Sequence, residues 1–140
     1  MRENIGLYRG KRIDNDEWVE GYYEPPVEFD GHKFGMTISY IGDHGWLDDA
    51  EIDPETVGEC SGIPDRADVF IFEGDILKIT YLCQKPVTAV VEFTDGKFVA
   101  RYTRNGKEHI DNLTATASSL YKIVGNIYDN PELVKGAADE

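Results

Sequence analysis

Residues 86–103 decide the fold class, and they read PVTAVVEFTDGKFVARYT. Two runs rich in β-branched and aromatic residues flank Asp95 and Gly96, a dipeptide that supplies the positive φ values of a tight hairpin turn. A second hairpin signal, Asn105-Gly106, follows directly. This segment therefore predicts antiparallel strands joined by short turns.

The same pattern extends outward in both directions along the chain. Residues 7–12 and 18–23 are short aromatic runs on either side of a polar turn, and Asp30-Gly31 separates two further apolar positions. Short strands at intervals of about 8–12 residues are typical of an antiparallel meander or a small barrel. We predict a mainly β fold with a small carboxy-terminal barrel-like sheet. An SH3-like topology is one option for that sheet.

Two short helical turns interrupt the strands. Asp53-Pro54 up to Gly58 has the form of an N-cap, a proline in the first turn and a glycine stop, and Asn130-Pro131 repeats the first two signals. Residues 61–65 are expected to form a loop, and Gly125 a bulge in the last strand. The expected organisation is a β region at 1–50, a connector at 51–68, a barrel-like region at 69–131, and a helical turn with a frayed tail at 132–140.

The charge of the chain disfavours several classes of partner. Its 140 residues include 27 acidic and 14 basic ones, for a formal net charge of −13. A field of this sign repels nucleic-acid backbones and anionic lipid surfaces at long range. It suits a basic patch on another protein, and general solubility is the simpler alternative.

The two cysteines, Cys60 and Cys83, are too far apart in sequence for a CxxC pair. The opening residues also lack the pattern of a signal peptide. We therefore expect a cytoplasmic protein with reduced thiols. Cys83 lies in a strand-like run and is expected to be a small core residue.

No catalytic or metal-binding set is readable. His32, His44 and His109 lack HxH or HExxH spacing, and the acidic residues 48–55 lack the spacing of a calcium loop. We expect no catalytic residue, no metal and no cofactor.

The sharpest local motif is Glu73-Gly74-Asp75. Its two carboxylates could share a proton or bind a cation. The alternative, which we favour, is a structural turn in which Gly74 supplies an unusual φ and Asp75 accepts backbone hydrogen bonds.

The aromatic residues of the first third of the chain are the candidates for binding. Trp18, Tyr22, Tyr23 and Trp46 are possible anchors for a protein partner, although packing in a small β core is the common role of such residues. Phe29 and Phe34 belong to the same aromatic set. A separate basic stripe, formed by Arg9, Lys11 and Arg12, could contact nucleic acid.

Several motifs in fixed order resemble the YopX family of phage and prophage proteins. They are Tyr8–Arg12 with Glu17–Tyr22, Asp53–Gly58, Ser61–Ile63, Phe72–Leu77, Val91–Phe98 and Val124–Leu133, and together they cover nearly the whole chain. The resemblance implies a mainly β fold and a gene carried by a phage or prophage. It implies no activity and supplies no catalytic residues.

The sequence thus favours a non-enzymatic phage or prophage accessory protein that binds a host or phage protein. The alternative is association with nucleic acid through the basic stripe. Exposed strand edges can pair with those of another copy, so homo-oligomerisation is a further option.

Overall fold

A computed structural model describes residues 7–43 and 45–138 of the protein, and the mainly β, antiparallel fold is confirmed. The chain divides into two compact units, residues 1–60 and residues 61–140. The strands of the first unit are β1 (Leu7–Lys11), β2 (Trp18–Glu24), β3 (Val27–Phe29), β4 (His32–Phe34), β5 (Thr37–Ile41), β6 (Leu47–Glu51) and the beginning of β7 (Gly58–Pro64).

The main sheet of the first unit has the order β6-β5-β2-β1-β7, with antiparallel pairing between the neighbouring strands. Its core cluster contains Val19, Ile38, Ala50 and Ile52, against which Tyr8 and Tyr40 pack. As expected from Asp53-Pro54, a 3₁₀ turn spans Pro54–Thr56, and the Asp53 side chain accepts the N–H of Glu55 at 3.0 Å.

The second unit contains the end of β7 and a sheet of the order β12-β11-β10-β9-β13. Its further elements are β8 (Phe70–Phe72), β9 (Asp75–Ile79), β10 (Val87–Thr94), β11 (Lys97–Arg104), β12 (Lys107–Asn112), a 3₁₀ turn (Ala115–Leu120), β13 (Tyr121–Asn126) and α1 (Pro131–Ala138). Within the described part of the chain β12 and β13 stand at opposite ends of this sheet, so the sheet is barrel-like without closing.

The core of the second unit comes from alternate residues of these strands. Its members are buried aliphatic and aromatic side chains: Ile71, Leu77, Ile79, Val87, Ala89, Val91, Ala100, Leu113 and Tyr121. The turns at Asp95-Gly96 and Asn105-Gly106 have positive φ at both residues, as a two-residue hairpin requires. The bulge expected at Gly125 is confirmed by a shift of register between Ile123 and Gly125.

Three local expectations were wrong. Residues 61–64 are strand rather than loop, because β7 continues through them. Cys83 is exposed, with φ 64°, because β9 ends at Ile79 and the chain turns before β10. The carboxy-terminal helix runs for eight residues rather than a single turn. In the described residues, no helix is long and apolar enough to cross a membrane.

Candidate interaction surface

A two-stranded arm extends the central hairpin of the first unit. Glu24 pairs with Thr37 at the end of the main sheet, and Val27 pairs with Phe34 in the arm. Two residues intervene on each side, so the same register continues through both pairs. Pro25 and Pro26 lie in the gap, and because proline has no N–H, they cannot donate to a ladder. The chain therefore forms one long hairpin, interrupted by prolines, with β3 and β4 as its tip.

One face of this arm is apolar and open to solvent. Val27 and Phe29 are two residues apart on β3 and therefore point to the same side, as does Phe34, the partner of Val27. Their exposed fractions are 53%, 75% and 54%. Every strand residue of β3 and β4 is exposed, and a two-stranded hairpin on its own is marginally stable in water. Covering the apolar face would therefore stabilise the arm.

Acidic side chains lie on the other face of the arm, at its turn and at its base. Glu28, directly opposite Lys33, lies on the polar face, and Asp30 forms the turn with a φ of 53°. At the base, the Ser39 hydroxyl lies 3.2 Å from an oxygen of Glu24 and 2.5 Å from one of Asp49. The arm thus presents an apolar face on one side and acidic side chains on the other side and at its turn.

The four aromatic residues proposed as anchors do not share one surface. Trp18 and Tyr22 lie on the face of β2 opposite the core, and Tyr22 is 66% exposed. Tyr23 lies on the core side, with its ring 5.2 Å from that of Tyr8 in an edge-to-face contact. Trp46 is 71% exposed in the turn between β5 and β6.

The three cations of the basic stripe do not share one surface either. Arg9 and Lys11 lie on the same side of β1 and flank Trp18, at 4.9 Å and 5.6 Å from its ring centre. Arg12 forms two hydrogen bonds with Asp14, at 2.8 and 2.7 Å, and a third with the Tyr40 hydroxyl at 2.7 Å. The hydrogen bond from Arg12 lowers the pKa of the Asp14 carboxyl.

Arg12 and Trp18 line a shallow cleft of about 530 Å³. Four acidic residues line the same cleft: Glu17, Glu20, Asp43 and Asp48. Carboxylates at these positions weaken the attraction that a phosphate backbone would require.

Glu73-Gly74-Asp75 forms a buried turn. Asp75 is buried and accepts the N–H of Phe72 at 2.8 Å, while Gly74 has φ 92° and faces the ring of Tyr128. Asn126 pairs with Asp75 in the β13–β9 ladder, so the next turn lies beside this one: there, Asn130 accepts the N–H of Asn126 through its side chain, and Pro131 begins α1. These contacts hold backbone in place, and the Asp75 carboxylate is buried by them.

A polar aromatic cluster was not visible in the sequence. The hydroxyls of Tyr81 and Tyr102 donate to Asp111 at 2.5 and 3.0 Å, and His109 stacks on Tyr102. Burial, together with the hydrogen bond to Asp111, raises the pKa of Tyr81 and of Tyr102. Both phenols therefore stay protonated near neutral pH, and the cluster has the character of a hydrogen-bonded support.

Neither of the two histidines that the structure describes belongs to a group of side chains that could hold a metal ion. His32 is exposed on the arm, His109 lies on β12, and His44 lies outside the described residues. No group of three or more His, Cys, Asp or Glu side chains that could hold a metal ion occurs in the part of the chain that the structure describes.

Sequence reasoning identified Phe29 and Phe34 as members of an aromatic set but omitted Val27. The signal was present in Val27-Glu-Phe29-Asp-Gly-His-Lys-Phe34, where apolar residues alternate with polar ones around an Asp-Gly turn. What the alternation could not indicate is that the apolar side of this hairpin lies in solvent.

The fold and the arm define a mainly β protein with an exposed apolar hairpin. The model of the YopX family, described as YopX protein, matches residues 7–135, and the chain belongs to this family. A similar solved structure is that of protein EF1440 from Enterococcus faecalis, with 21% identity and a TM-score of 0.51 over 91% of this chain and 96% of that one. At this identity the likeness shows the fold alone. The search of curated proteins found no match.

Proposed function

We propose that this protein is a non-enzymatic accessory protein of a phage or prophage that acts in the host cytoplasm by binding another protein. The binding element is the arm, with Val27, Phe29 and Phe34 as its anchors. The single observation that carries the proposal is the exposure of all three apolar side chains on one face of a hairpin beside which the described residues place no further strand. Large apolar side chains at the centre of an interface commonly provide most of the binding energy.

The net charge of the first unit indicates what kind of surface the partner has. Residues 1–60 contain fifteen acidic and five basic residues, whereas residues 61–140 contain twelve and nine. The arm itself carries Glu28 and Asp30 beside one lysine. We therefore assign as partner a protein with an apolar groove rimmed by lysine and arginine. A second copy of this chain fits less well, because two first units, each with ten more acidic than basic residues, would repel each other.

The test compares three forms of the tagged protein as bait in a lysate of the bacterium that carries the gene. The arm variant combines Val27→Ser, Phe29→Ser and Phe34→Ser. The matched control combines Val69→Ser, Leu82→Ser and Ile110→Ser, which are three exposed apolar residues of the second unit. Since exposed substitutions change stability by only about 0.5 kcal/mol each, both variants should fold.

We expect a partner that wild type and control retain after nuclease treatment and that the arm variant loses. With the purified partner, the arm variant should raise the Kd at least about tenfold. The double variant Glu24→Gln and Glu28→Gln should make binding of the partner less dependent on salt concentration. The proposal would be overturned if the arm variant still captured the partner. It would also be overturned if nuclease treatment removed the partner from wild type, and that result would favour binding to nucleic acid. A concentration-dependent dimer of wild type that the arm variant abolishes would show that the occupant is a second copy.

A further inference from the structure

A pocket of about 600 Å³ lies beside β9, β10 and β11 in the second unit. Lys78 of β9, Lys85 of the β9–β10 loop and Arg104 at the end of β11 contribute to its lining. Two hydroxyls and an amide complete the polar set, from Thr88, Thr103 and Asn105. Among the described residues, no acidic side chain lines it. We refer to this site as the basic pocket.

Three cations in one pocket are unexpected in a chain with a net charge of −13. In the described residues, no carboxylate lies within ion-pair distance of Lys78, Lys85 or Arg104. Lys122 pairs with Lys78 in the β13–β9 ladder and adds a fourth positive charge next to the pocket. Like charges that share one pocket repel each other unless an anion lies among them.

A neighbouring cleft shows the opposite arrangement. There, Arg101 lies between Glu92 and Glu108, donating to Glu92 at 2.7 Å and also to Glu108, so its charge is matched within the protein. Arg104, three residues further on, instead donates to the backbone carbonyl of Lys85 at 3.1 Å. This bond fixes the loop that carries Lys85 against β11 and leaves the positive charge of Arg104 without a carboxylate.

The chemistry of the lining defines the ligand. Lysine ammonium groups and the planar fork of arginine are the usual protein ligands of phosphate groups, and threonine and asparagine add neutral donors. The volume lies within the range of small-molecule sites. No aromatic side chain of the part of the chain that the structure describes lines the pocket, so a nucleobase would find no stacking platform among these residues.

We propose that the basic pocket binds a small polyphosphate anion, with Lys78, Lys85 and Arg104 as the phosphate ligands. The phosphate chain is the recognised group, whether it belongs to an inorganic polyphosphate or to a nucleotide. A long nucleic acid is a poorer ligand, because the acidic first unit repels its extended backbone.

The proposal is tested by isothermal titration of the full chain with tripolyphosphate at constant ionic strength. Wild type is compared with Lys78→Gln, Lys85→Gln and Arg104→Gln. The control is Lys97→Gln, which removes the same charge from the first residue of β11, outside the pocket. A thermal melt of each variant checks the fold. Lys78 and Lys85 are exposed, so their variants remain informative if Arg104→Gln destabilises the loop.

We expect saturable binding, weakened about tenfold by each pocket variant and unchanged by Lys97→Gln, because each lost group removes one charge-assisted contact. Adenosine triphosphate binding as tightly as tripolyphosphate would show that the phosphate chain alone is recognised. Tighter binding of the nucleotide would show that it is the source of that chain. Three results would overturn the proposal: no binding at millimolar tripolyphosphate, equal weakening by Lys97→Gln, or binding of an oligonucleotide without binding of tripolyphosphate.

Discussion

Asp65 shows how one side chain can organise a turn in this protein. Its carboxylate is buried and accepts the N–H groups of Ala67 at 2.9 Å, Val69 at 3.0 Å and Ile123 at 3.1 Å. Burial alone raises the pKa of the Asp65 carboxyl, but the three hydrogen bonds outweigh this effect and the pKa is lowered. The charged form is therefore the one that the folded protein favours.

This geometry predicts an acid-sensitive contribution to stability. Asp65→Asn should lower the free energy of unfolding at pH 7 by about 1–3 kcal/mol, because an amide is a weaker acceptor and brings donors of its own. Because the folded pKa is depressed, the contribution is present above the ordinary aspartate pKa of about 3.9 and is lost as the pH falls through the folded value. Denaturant titrations at several pH values measure this difference.

The control for Asp65 is Asp68→Asn in the same turn. Asp68 is exposed and has φ 67°, a conformation that asparagine also adopts. It should change stability little at any pH. A constant difference between wild type and Asp65→Asn down to pH 2 would contradict the assigned role of the carboxylate.

At the scale of elements, the long hairpin depends on the close approach of β2 and β5. A Cβ added at Gly21 would lie 1.9 Å from the carbonyl oxygen of Ser39 and 3.0 Å from the Ile38 side chain. Neither neighbour can move freely, because Ile38 is fully buried and the carbonyl belongs to the backbone. The absence of a side chain at position 21 is therefore a requirement of the hairpin.

Gly21→Ala should accordingly destabilise the first unit by about 1–3 kcal/mol, the usual range for overpacking. The midpoint of denaturant unfolding, followed by the fluorescence of Trp18 and Trp46, measures the effect. Glu20→Ala, at the exposed neighbouring position, should stay within about 0.5 kcal/mol of wild type. An unchanged midpoint for Gly21→Ala would mean that β2 and β5 are less closely packed than described.

At the scale of the whole molecule, charge is distributed unevenly. Most of the excess negative charge lies in residues 1–60, whereas residues 61–140 are close to balanced and contain the basic pocket. The negative charges of residues 1–60 repel one another; this repulsion destabilises the folded state and is screened by salt.

We therefore expect the Tm at pH 7 to rise when NaCl is increased from about 0.01 to about 0.1 M, as the Debye length falls from about 30 to about 10 Å. Differential scanning calorimetry provides the measurement. Near pH 4.5, the isoelectric point of the sequence, the net charge approaches zero and the same addition should have little effect. A Tm at pH 7 that falls or stays constant would contradict the dominance of self-repulsion.

The sequence by itself determined the fold class, the tight turns and the membership of the YopX family. Asp95-Gly96 and Asn105-Gly106 fix their hairpins because positive φ is a local property of these residue types. The buried members of β10 could likewise be read from an apolar run next to a turn. These features depend on neighbours in sequence, and a pattern of a few residues contains the information.

The tertiary structure alone decided which faces are covered and which distant residues meet. The alternation in residues 27–34 predicts a hairpin whether its apolar side is buried or exposed. Lys78, Lys85 and Arg104 come from two strands and a loop, and only the register of β9, β10 and β11 brings them to one pocket. The exposure of Cys83 and the strand at 61–64 were missed for the same physical reason. Strand boundaries and burial are set by pairing with segments far along the chain, and local propensity does not determine that pairing.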